Sequence, residues 1–163
     1  MNLAGALLTL EEDGEHFWFD GTVITLKATG KDTAGRFLIF DCITPRKKND
    51  LHVHHDADEM FLIVDGDVLV RTPDGEHAGS AGTMGVVPRG VAHAVEATSP
   101  TARILALLTP ASVATEAYIR EIGEPTDTRN LPPLPTPESI ERMRAAAARY
   151  ELSVASGDQV QSA

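Results

Sequence analysis

The chain has 163 residues, 42% of them hydrophobic and 23% charged, which suits one soluble domain able to fold without a disulfide or a structural metal. A formal charge of −10 and a pI near 4.9 exclude a nucleic-acid binder, whose ligand demands a basic face; Arg46-Lys47-Lys48 reads as a solvated turn. No apolar run approaches a membrane span, the start of the chain lacks the basic flank of a secretion signal, and the lone Cys42 can form no internal disulfide, so a cytoplasmic location is expected.

From Trp18 to Leu108 short apolar runs alternate with turn residues. The predicted strands are Val23–Ala28, Arg36–Thr44, Leu51–His54, Glu59–Asp65, Asp67–Thr72, Thr83–Val87, Ala92–Ala97 and Arg103–Thr109. Asp65-Gly66, set between Val64 and Val68, predicts a β-hairpin. Many short strands without intervening helical patterns indicate a sandwich or barrel. After Thr109 the pattern changes. Residues 110–123 predict a short helix, and Glu124–Pro137, with Pro125, Pro132, Pro133, Pro135 and Pro137, predicts an extended strap. Thr136-Pro137 reads as a cap and first turn for a helix carrying Ile140, Met143, Ala147 and Tyr150 at helical spacing. Residues 153–163 are expected to fray. The whole chain reads as a single domain, with a barrel core over 18–109 and the helix, strap and helix over 110–152.

Glu59, Phe61 and Ile63 share one face of their strand, and Met60, Leu62 and Val64 share the other. Two apolar faces imply that neither meets water freely. If the first lines a lumen, the C-terminal helix, another sheet or a second subunit must cover the second, and a homodimer is expected. Phe61 and Ile63 are candidate pocket residues, with Phe37, Ile39, Met84 and Leu105; core packing would account for them equally.

Within Leu51-His52-Val53-His54-His55-Asp56-Ala57-Asp58-Glu59, two histidines two residues apart in a strand point the same way. Neutral imidazoles and a carboxylate are ligands for borderline divalent metals. Glu59 lies an odd number of residues beyond His54, so the polar stretch between them must form a turn or bulge that resets the alternation. A fourth ligand is offered by His93, delivered by the turn Pro88-Arg89-Gly90.

These residues resemble the two motifs of the cupin superfamily. His52, His54, Glu59 and Gly66 match the first, histidine-x-histidine followed by glutamate and glycine at the family's spacing. Gly82, Pro88, Gly90 and His93 match the second. Arg46 stands where the first motif usually opens with glycine, and Ala97 where the second often closes with asparagine. The resemblance implies a mainly β fold, a single cupin (double-stranded β-helix, or jelly-roll) barrel with C-terminal α-helices, and one metal ion on His52, His54, Glu59 and His93. Manganese, iron, cobalt, nickel and zinc all suit three imidazoles and a carboxylate. From about Phe17 to Val154 the chain is similar, more narrowly, to single-cupin proteins related to quercetin 2,3-dioxygenase. That likeness implies a dioxygenase acting on an enolisable hydroxy-aromatic small molecule, flavonol- or polyketide-like, with dioxygen as co-substrate and Glu59 as catalytic base. Two alternatives stand beside it: a metal-dependent isomerase or polyketide cyclase that uses no oxygen, and a non-enzymatic small-ligand-binding barrel.

Overall fold

The computed structural model describes residues 7–152. The expected fraying of 153–163 lies outside them, as do the first six residues. Among the described residues, ten strands and two helices follow in order: β1 (Glu15–Phe19), β2 (Thr22–Ala28), β3 (Leu38–Pro45), β4 (Asp58–Asp65), β5 (Asp67–Thr72), β6 (Gly75–Ser80), β7 (Met84–Val87), β8 (Ala94–Ala97), β9 (Thr101–Thr109), α1 (Val113–Ile122), β10 (Glu124–Thr126) and α2 (Pro137–Arg149). They build a seven-stranded sheet ordered β10-β1-β2-β3-β9-β4-β7 and a three-stranded sheet ordered β6-β5-β8. All pairings among the described residues are antiparallel, so this is the mainly β jelly roll with C-terminal helices that the motifs imply.

Alternation positions the core. On β9, Ala102, Ile104, Ala106 and Leu108 face inward and are buried, while Leu105 and Leu107 face out. β4 directs Glu59, Phe61 and Ile63 inward by the same rule. Two apolar clusters result. One gathers Phe17, Ile24, Leu38, Phe40, Leu108 and Ile119; the other gathers Phe61, Ile63, Val68, Val87 and Ile104. A fully buried Leu or Val contributes about 1.5–3 kcal/mol, and Leu38, Leu108, Val23 and Val68 are all in that state.

Several expectations need correction. Asp65-Gly66 makes no hairpin: β4 pairs with β7 and β9, whereas β5 pairs with β6 and β8. The turn instead carries the chain from one sheet to the other. Gly66 is required there, because its φ is 81° and a Cβ would lie 2.4 Å from the Thr101 carbonyl oxygen. β5 instead forms a hairpin with β6, with Thr72 opposite Gly75. Its second strand escapes a hydrophobic reading because Gly75-Glu76-His77-Ala78-Gly79-Ser80 is an exposed edge of small and polar residues. Leu51–His54 is not a regular strand but holds isolated bridge residues at Leu51 and His52, the latter opposite His93. The strap begins with β10, which pairs along β1.

Both C-terminal helices are capped by hydroxyls: Ser112 Oγ accepts from Thr115 N at 3.0 Å, and Thr136 Oγ1 accepts from Ser139 N at 3.2 Å. Between them the strap crosses the outside of the large sheet. Trp18 Nε1 donates to the Asn130 carbonyl at 3.0 Å, and the Arg129 guanidinium reaches the buried Asp41 carboxylate at 2.8 Å. α2 then packs on α1. It does not cover the outer face of β4, β7 and β9, where Val64, Met84, Val86 and Leu105 are 42%, 66%, 62% and 37% exposed.

Candidate metal centre

His52 and His93 come from separate stretches and meet through backbone. His52 N donates to His93 O and His93 N donates to His52 O, both at 2.9 Å. Their rings lie 4.3 Å apart, centroid to centroid. His54 follows two residues after His52, with the two ring centroids 5.0 Å apart. A bend over His55 and Asp56 then feeds β4 and brings Glu59 to the same side. Glu59 Oε2 sits 2.7 Å from His93 Nε2, 3.3 Å from His54 Nε2 and 4.0 Å from His52 Nε2.

One donor atom from each of the four residues lies within 4.8 Å of all the others. That spread is about twice a metal–ligand bond of roughly 2.0–2.2 Å, so four donors could close on one cation with small movements. His93, His54 and Glu59 are only 1%, 5% and 7% exposed. His52 is enclosed by protein, yet a third of its side chain is accessible because the ring forms part of a cavity wall.

The hydrogen-bond chemistry fits a cation. His93 Nδ1 is 3.0 Å from the Val91 carbonyl, which only accepts, so this nitrogen carries a hydrogen. Nε2 of the same ring then faces a carboxylate oxygen at 2.7 Å, and a contact that short needs positive charge between the two. Without a metal, a proton fills that role. Burial alone would raise the Glu59 carboxyl, but the His54 and His93 contacts outweigh it and hold the group well below the usual carboxylate range. Burial would likewise lower His93, but the hydrogen bond it donates to Glu59, the negative charge of that carboxylate and the bond to the Val91 carbonyl together raise it. At His52 the Glu59 charge and a backbone bond to Asp50 compensate only in part. Burial first, and then the two neighbouring imidazoles, push it down to about 3, leaving a neutral ring with a free lone pair.

The cluster opens on a cavity of about 370 Å³ whose walls borrow from both core clusters, including Ile24, Phe40, Phe61 and Ile104. Phe61 can lie flat only because Gly85 stands opposite it on β7; a Cβ there would fall 2.1 Å from Phe61 Cζ. Cys42 also lines the cavity, and burial, reinforced by the Asp41 and Glu59 charges, pushes its thiol up and out of nucleophilic range.

Of the sequence-derived pocket candidates, Phe61 is in the wall. Ile63 lies on the same face but farther along, inside the packed end of the barrel. Phe37 and Ile39 line a separate outer depression near Leu7 and Lys27, and Met84 and Leu105 point outward. For Ile39 and Leu105 the cause is parity: on strands apolar on both faces, a one-residue shift exchanges inside and outside. Phe40, Cys42, Ile104 and Ala106 are the inward members of the same strands. The two predicted helices were not expected to line the cavity, and they do. Thr115 and Ile119, one turn apart on α1, reach the cavity, and Ile140, Met143 and Arg144 of α2 close part of it. The signal was the i, i+4 spacing, which put Thr115 and Ile119 on one face.

Comparison with known proteins gives three findings. Residues 40–108 match the cupin-domain family. Over 141 residues, 83% of this chain, the sequence is 33% identical to a quercetin 2,3-dioxygenase from Bacillus subtilis strain 168, but the match spans only 40% of that protein's length. Among solved structures, KdgF from a Halomonas species superposes with a TM-score of 0.59 at 18% identity, covering 69% of this chain and 99% of the other. An RmlC-like cupin from Shewanella frigidimarina gives 0.58 at 14% identity, covering 68% and 96%. At these identities the two structures establish the fold alone.

Proposed function

Starting from a chain that belongs to the cupin superfamily, we propose a metal-dependent dioxygenase that acts on an enolisable hydroxy-aromatic small molecule, flavonol- or polyketide-like. The observation that carries this reading is the convergence of three imidazoles and a carboxylate on an apolar cavity. The partial match to the Bacillus dioxygenase supports the choice of reaction.

His52, His54, Glu59 and His93 would hold one divalent transition-metal ion, for which manganese, iron, cobalt, nickel and zinc are all suited. Bound there, the ion supplies Lewis acidity toward a substrate hydroxyl or carbonyl. The protein's own groups do the rest. Phe40, Phe61 and Ile104 offer flat apolar surface to an aromatic ring and keep water from the reacting end. His54 and His93 both address Oε2 of Glu59, which leaves Oε1 to take the hydroxyl proton. Because its carboxyl is held so low, Glu59 is ionised at neutral pH but weakly basic, so the transfer depends on an acidified substrate.

A second copy of the chain is the proposed cover for the exposed face of Val64, Met84, Val86 and Leu105, since α2 packs elsewhere.

The test is an oxygen-electrode screen of metal-loaded protein against flavonols and other enolisable aromatics, with elemental analysis alongside. Stoichiometric oxygen uptake with product formation is expected. Turnover at an equal rate without oxygen would replace the dioxygenase by an isomerase or cyclase. Tight binding with no product would leave a ligand-binding barrel.

A further inference from the structure

We infer that Thr115, on α1 and outside both motifs, is a positioning residue for His54, with a hydroxyl that keeps the ring in place whichever ring nitrogen carries the hydrogen. The inference rests on the metal reading above.

Thr115 Oγ1 lies 3.0 Å from His54 Nδ1, and both side chains are buried at 5% exposure. Behind it stands Ser112, 1% exposed, whose Oγ accepts from Thr115 N at 3.0 Å and donates to Thr115 Oγ1 at 2.8 Å. The cap of α1 thus fixes the hydroxyl, the hydroxyl addresses one nitrogen of the ring, and the other nitrogen faces Glu59 Oε2 at 3.3 Å. Nothing about helix stability requires the threonine oxygen to reach across to a histidine from a distant loop.

His93 shows why a hydroxyl matters. Its Nδ1 faces the Val91 carbonyl, an acceptor only, so that ring has one arrangement of hydrogens on Nδ1. A hydroxyl both donates and accepts. Without a cation, His54 can hold its hydrogen on Nε2 for Glu59 and accept from Thr115 at Nδ1. With Nε2 committed to a cation, Nδ1 carries the hydrogen and donates to Thr115 Oγ1, whose second lone pair still accepts from Ser112. The ring need not move between the two states. Partners of this kind orient a ligating imidazole, and their loss typically costs 10–100-fold in metal affinity.

The experiment titrates cobalt(II) chloride into demetallated protein, followed by visible absorption and by competition with a chelator. Thr115→Val, which keeps the shape and removes the oxygen, should weaken binding by about 10–100-fold and alter the cobalt absorption bands. Thr115→Ser should restore both. Thermal melts of the demetallated variants check the fold, and Thr115→Ala supplies the same comparison if valine disturbs α1. Val and Ala variants that bind as tightly as wild type overturn the inference, as does a Ser variant as weak as the Val variant. A wild-type protein that takes up no cobalt overturns the metal reading itself, a result distinct from either.

Discussion

The backbones of His52 and His93 exchange both of their hydrogen bonds, each at 2.9 Å, so the two motif segments are stitched together before any side chain is considered. In an antiparallel pair of this kind the side chains of opposed residues stand on the same face, which explains how rings from distant stretches come to lie 4.3 Å apart. The main chain therefore sets up the donor cluster, and the imidazoles can be removed singly without dismantling the scaffold.

Replacing His93 with alanine should accordingly leave the barrel folded but abolish stoichiometric metal, as read by elemental analysis. In chelator it should also destabilise the protein by about 3–5 kcal/mol, because the Glu59 carboxylate, 7% exposed, loses its nearest partner. Adding Glu59→Leu to His93→Ala should recover part of that loss in a denaturant titration. Equal stability of wild type and His93→Ala would refute the account of the charge pair.

The acid limb of stability should belong largely to His52. Its folded pKa is about 3, against about 6.5 in an unfolded chain, so between those values the unfolded state binds more protons and stability falls as pH drops. Glu59, held below the usual range, adds a loss in the same direction at lower pH. His93 acts oppositely: its contribution is full below the unfolded value and fades as pH rises through its raised folded one. Melts of chelator-treated His52→Asn across this range should show a flatter fall toward acid than wild type. A fall as steep as wild type's would mean that other groups govern it. Bound metal should also be lost on acidification, since protons compete for the imidazoles.

On the outer face, Met84→Asp and Val86→Asp should convert a dimer to a monomer in sedimentation. The intrinsic fold should change by no more than about 0.5 kcal/mol, because the two side chains are 66% and 62% exposed. Wild type that sediments as a monomer at high concentration would remove the proposal that a second copy covers this face.

How much of this was legible beforehand depends on the kind of signal. The spacing of His52, His54, Glu59 and His93 was readable because two motifs fix those residues by position, and the structure brings their donor atoms within 4.8 Å. The caps at Ser112 and Thr136 follow from local chemistry, although only Thr136-Pro137 was read as one. The Asp65-Gly66 turn was also visible, but its partner strands were not, because a turn says where a chain bends and not which neighbour it then joins.

What the sequence determined by itself was therefore local and periodic: short strands, a proline strap, a capped final helix, and four ligand-type residues at recognisable intervals. The tertiary structure alone decided which apolar face of each strand turned inward, so that Phe40 and Ile104 rather than Ile39 and Leu105 line the cavity, and that α1 reaches His54 through Thr115. Alternation has a period of two and carries no sign when both faces are apolar, so only the competition between whole sheets and helices for buried area could choose.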